Sequence, residues 1–173
     1  MHRPTTRRAA TLGALFTLLL GLNVGDVLAQ GAATKSAVSE RKAAPTGADI
    51  AAAARGAALD AANTGNATLF GKPFKFTPAK ADKDDPIEAG AFVGVLENGA
   101  AGDETGLPAG KYNIFVAKVN GQWKGYAETG GQIVREAIRV RTTAAGGSAK
   151  AGFEEKGWCV RFLYYPYRIY VCY

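Results

Sequence analysis

The chain has 173 residues and a formal net charge of +6, length enough for one ordinary domain with additional segments. Its 21 lysines and arginines form no basic run, so no nucleic-acid footprint is legible and nucleic acid is not expected as a partner. The only histidine is His2, which leaves almost the whole chain without an imidazole.

Met1–Ala29 reads as a signal peptide. A basic stretch, MHRPTTRR, precedes an apolar run at Ala9–Val24, and Val27-Leu28-Ala29 sets up cleavage before Gln30. Its strongly apolar part, Leu12–Leu22, is shorter than the ~20 residues that span a bilayer, so membrane contact is expected only during export. Thr6-Arg7-Arg8 resembles a twin-arginine signal, but Ala9-Ala10-Thr11 after it favours ordinary secretion. The expected location is periplasmic or extracellular. The leader carries a net +2 (Arg3, Arg7 and Arg8 against Asp26), and its removal leaves +4.

Cleavage also removes His2. Ser–His–Asp and Cys–His catalysis in their usual forms need a histidine base, so both are excluded for the processed chain. Zinc and copper sites draw on histidine or several cysteines, and two cysteines are a poor set. No catalytic residue, cofactor or metal is therefore expected.

Residues 30–66 read as a flexible Ala-rich linker. Gln30–Gly47 is small and polar; Ala48–Ala62 has the composition of a short helix interrupted by Gly56. Leu69–Phe76 (LFGKPFKF) reads as one aromatic strand, placed by Pro73 at an edge or bend. The acidic segment Asp82–Glu88 lacks the spacing of a calcium loop and reads as a solvated turn. Ala91–Leu96 (AFVGVL) is a buried-type strand, followed by a Gly-rich loop with Asp103 and Glu104.

Leu107–Arg141 reads as three antiparallel strands with tight turns at Asn120-Gly121 and Gly130-Gly131. Two-residue turns set the register: Val119 opposite Gln122, Val116 opposite Gly125, Phe115 opposite Tyr126, and Ala127 opposite Val134. Alternation puts Tyr112, Ile114, Val116, Trp123, Ala127, Val134 and Ile138 on one face as a core layer. Glu136 also falls there, which predicts a bulge or early end in the third strand. The other face carries Phe115, Lys124, Tyr126 and Arg135, and these four form the candidate contact surface because aromatics beside charges suit recognition. The competing expectation is that a second layer, or the Ala-rich segment, covers that face.

Leu-Pro-Ala-Gly-Lys-Tyr-Asn-Ile-Phe-Val, at Leu107–Val116, resembles the stretch that enters a core strand in carboxypeptidase-regulatory, transthyretin-like β-sandwich domains. The resemblance implies a seven-strand sandwich with Tyr112 packed inward, used for adhesion, assembly or support of a partner. The Val93-Gly94-Val95 and Asp103-Glu104-Thr105-Gly106 segments only partly follow the family's preceding pattern.

Thr142–Gly152 reads as a flexible connection, and Trp158–Tyr173 as a closing hairpin around Tyr165-Pro166. Cys159 and Cys172 become facing positions, which in an exported protein reads as a cross-strand disulfide. Pro166 suits a turn with a cis bond. Val160, Phe162, Tyr164, Tyr167, Ile169 and Val171 fall on its core face.

The sequence therefore predicts an all-β fold: a single antiparallel β-sandwich of about seven strands over residues 67–173, behind a signal peptide (1–29) and a flexible Ala-rich segment. Its expected role is non-catalytic, binding a protein or glycan at the cell envelope or serving there structurally. One alternative is a carboxylate-based hydrolase using Asp84, Asp85, Asp103 and Glu104. Another is a small outer-membrane β-barrel, since the C-terminal aromatic and the alternation before it resemble a terminal barrel strand.

Overall fold

The computed structural model describes residues 40–81, 87–100, 106–137, 139–154 and 159–173. The predicted leader lies outside these residues, as do Asp84, Asp85, Asp103, Glu104 and Ile138. The described residues form one α-helix, α1 (Gly47–Gly56), a short 3-10 turn (Ala61–Asn63), and ten strands: β1 (Gly65–Leu69), β2 (Lys72–Pro78), β3 (Ala91–Asn98), β4 (Gly110–Val119), β5 (Gln122–Thr129), β6 (Gln132–Glu136), β7 (Arg139–Ala144), β8 (Gly152–Glu154), β9 (Cys159–Tyr164) and β10 (Tyr167–Cys172). All pairing between them is antiparallel.

Strands β1 to β6 form a six-stranded meander, and β7-β10-β9-β8 form a second sheet of four. Both sheets are open, with edges at β1, β6, β7 and β8, so the described residues make a sandwich and not the closed barrel considered from sequence. The sheets meet through Phe76 and Phe162, whose rings lie 4.6 Å apart, and through Phe74 and Phe153 at 6.1 Å. The sheets also lie close at Gly125, where a Cβ would meet Val140 Cγ2 at 2.9 Å and Val171 Cγ1 at 3.1 Å. Val160, Phe162, Ile169 and Val171 are fully buried, as expected of the hairpin's inward face.

The β4–β5 hairpin has the predicted register around Asn120-Gly121, both at positive φ (50° and 82°). Tyr112 points inward, and its hydroxyl donates to Pro108 O at 2.7 Å, tying the entering loop to the strand. Strand β6 departs from the simple alternation. Val134 is an extra residue between the Ala127–Arg135 and Glu128–Ile133 pairs. This bulge moves Glu136 off the core face to a position opposite Tyr126, and leaves Val134 exposed where a core position was predicted. Beyond Ala137 the chain crosses to the other sheet, so the predicted third strand is two strands, β6 and β7.

The region read as a linker belongs, from Glu40 onward, to the folded body. Arg41 N donates to Lys118 O at 3.0 Å, and Arg41 O accepts from Asn120 N at 3.2 Å. Thr46 caps α1 with a reciprocal pair, Asp49 N to Thr46 Oγ1 at 3.2 Å and Thr46 N to Asp49 Oδ2 at 2.9 Å. The helix contacts β3, β4, β5 and β6 on the face opposite the second sheet, with Ile50 fully buried. Its small alanines let the helix backbone settle close to the sheet. Beneath it lies Glu128, 1% exposed, accepting from Asn113 Nδ2 at 2.7 Å and Gly131 N at 2.6 Å. The layers therefore run helix, six-stranded sheet, four-stranded sheet.

Candidate functional site

The four residues expected to form a contact surface are not one surface. Phe115 and Tyr126 are 3% and 2% exposed, because α1 and the Arg41 segment roof their face. The Arg41 guanidinium sits 5.9 Å from the Phe115 ring centre, and its Nε donates to Ala89 O at 2.7 Å. Burial, and then the Glu136 carboxylate, push the Tyr126 hydroxyl above its ordinary pKa; it has no hydrogen-bond partner among the described residues. Lys124 donates to Glu136 Oε1 at 2.6 Å, and that bond holds the ammonium above its usual value. The β6 bulge puts Arg135 on the opposite face, beside Ala127, with its guanidinium packed against Gly106. The Ala-rich segment thus covers the face, which was the competing expectation.

The exposed chemistry lies on the outer face of the second sheet. Val140, Val171, Val160 and Phe153 share one row facing the first sheet, so by alternation their neighbours face outward. One outward row is Arg139, Cys172, Cys159 and Glu154. The next is Arg141, Tyr170, Arg161 and Gly152. The third is Thr143, Arg168 and Leu163. Among the described residues of this face, four arginines from three strands therefore meet one acid, Glu154, which lies 3.8 Å from Arg161.

Three of the four remain open to solvent. Arg139, Arg141 and Arg161 are exposed, whereas Arg168 is buried under the loop after β7, donating to Ser148 O at 2.6 Å. The Arg141 guanidinium stacks 5.3 Å from the centre of the Tyr170 ring. With neighbouring strands about 4.8 Å apart, Arg141 and Arg161 flank Tyr170 at about 10 Å from each other.

Cys159 and Cys172 are directly paired across β9 and β10 and joined by a disulfide with a sequence separation of 13. The hairpin turn between them contains the cis Tyr165–Pro166 bond. Arg139 Nη2 lies 3.6 Å from Cys159 Sγ and 3.5 Å from Cys172 Sγ, so the cross-link forms one border of the basic face. Reduction is expected to remove about 2–3 kcal/mol of stability by releasing the closed loop. Urea unfolding with and without reductant, read as a shift in midpoint, checks this.

Among the described residues there is no group of three or more His, Cys, Asp or Glu placed to hold a metal ion. Three shallow grooves carry Glu97, Glu128 and no acid respectively. No helix among the described residues is long and apolar enough to cross a membrane. In comparisons with protein-family models, curated proteins and solved structures, nothing matches this chain.

Proposed function

We propose that the chain is an exported, non-catalytic β-sandwich binding module, acting at the cell envelope or outside the cell. The observation that carries this reading is the outer face of the four-stranded sheet, where Arg139, Arg141 and Arg161 lie around Tyr170 with Glu154 as the one opposing charge among the described residues of the face. Guanidinium groups on a rigid, cross-linked sheet are pre-arranged for anionic partners and lose little freedom on binding. The leader-like Met1–Ala29 and the disulfide support export, since such bonds persist in oxidising compartments. The resemblance of Leu107–Val116 to transthyretin-like sandwich domains points to the same kind of non-catalytic role.

Fractionation of the full-length chain expressed in a secreting host tests export. A soluble species beginning at Gln30, with two hydrogens gained on reduction, is expected. An uncleaved cytosolic chain would overturn the export reading. Retention on a cation exchanger tests the face: R141E/R161E should elute at clearly lower salt than R55E/K80E, which makes the same charge change elsewhere. Identical elution of the two would remove the face from the proposal.

A further inference from the structure

We infer that the ligand of this face is an acidic polysaccharide bearing ring carboxylates; the inference rests on the basic-face reading above. Arg141, Tyr170 and Arg161 lie side by side on adjacent strands, one aromatic ring between two guanidinium groups. A uronate residue presents complementary chemistry in one unit. Its carboxylate fits the planar fork of arginine, and its C–H face packs on flat aromatic and guanidinium planes. The stack of Arg141 on Tyr170 holds the guanidinium in place before any ligand arrives, reducing the rotamer entropy lost on binding.

The row structure extends the match from one sugar to a chain. Arg139 stands two residues from Arg141 along β7, so charge continues along the strand as well as across it. A linear polymer with a carboxylate on each ring meets several of these groups at once, and weak contacts multiply through their effective concentration.

The other polyanions fit this face less well. Bilayer insertion uses exposed large apolar residues, and the three outward rows carry one, the half-buried Leu163. Single-stranded nucleic acid relies on a series of stacking aromatics, where this face presents Tyr170 alone.

Titration of the purified chain with polygalacturonate tests the inference, beside its methyl-esterified form, anionic phosphatidylglycerol vesicles and duplex DNA at equal salt. Polygalacturonate should bind, and esterification should weaken binding by roughly tenfold or more, since it removes the carboxylate charge while keeping the backbone. R141E/R161E should lose roughly tenfold or more for polygalacturonate with an unchanged unfolding midpoint, and Y170A should lose affinity without changing the salt dependence. Equal or tighter binding to vesicles or DNA would overturn the polysaccharide assignment while leaving an anion-binding face. Absence of binding to every polyanion would overturn the face itself.

Discussion

Truncating Phe76 to alanine is expected to destabilise the fold by about 3–5 kcal/mol, the usual loss for a buried aromatic. The side chain is fully buried and its ring stacks on Phe162 of the opposite sheet. Its place is also prepared on the near side. A Cβ on Gly94 would stand 2.6 Å from Phe76 Cζ, so the β3 glycine makes the space that the ring fills. Removing the ring therefore opens a void in the seam between the two sheets, with rigid backbone on one side that cannot collapse into it. Urea denaturation should show a lower midpoint with little change in slope. A loss below about 1 kcal/mol would mean that the two sheets are held together elsewhere.

Replacing Ile50 by alanine is the second large expected effect, about 2–5 kcal/mol. Ile50 is the one fully buried residue of α1, and its neighbours Ala51, Ala53 and Ala54 are only partly covered. Hydrophobic anchoring of the helix thus falls largely on a single side chain, beside the Thr46–Asp49 cap. Loosening the helix would admit water to Glu128, Phe115 and Tyr126. Amide exchange should accordingly rise in β4 and β5 on the helix side before it rises in β9 and β10. Uniform change across both sheets would show that α1 is not a separate cover.

Much of this architecture is legible in the residue order. Asn120-Gly121 can take the two positive φ angles of a tight hairpin, and that alone sets the β4–β5 register. The symmetry of Cys159 and Cys172 about Tyr165-Pro166 likewise predicts the terminal hairpin and its disulfide. Glu136, falling on a core face, predicts an irregularity in β6, and the Val134 bulge supplies it. Thr46 and Asp49 have the spacing of a capping box, a signal of the helix start that composition alone passes over.

Other features had no local signal. The first two strands read as one because the turn between them uses Phe70 at φ 52°, a conformation large side chains rarely adopt. Short, polar β1 has no apolar alternation to announce it. The basic face depends wholly on topology. Arg139 and Arg141 sit in a segment that reads as the end of the meander, while Arg161 and Arg168 sit in the terminal hairpin. They become neighbours only because the chain changes sheets after β6 and β7 pairs with β10, which sequence periodicity does not encode. For the same reason the cover over the Phe115 face stands in the sequence only as one of two expectations: nothing local says which layer will lie over it.

The ordering of layers gives the molecule a direction. Glu40 and Arg41 lie beside the β4–β5 turn on the helix-covered side, whereas Arg139, Arg141 and Arg161 lie on the far side of the second sheet. A module held by those three arginines on an extended polyanion would lie flat, with its helix turned outward. Each copy would then present the same side to its surroundings, so that a coated polymer acquires a uniform outer layer instead of a random one.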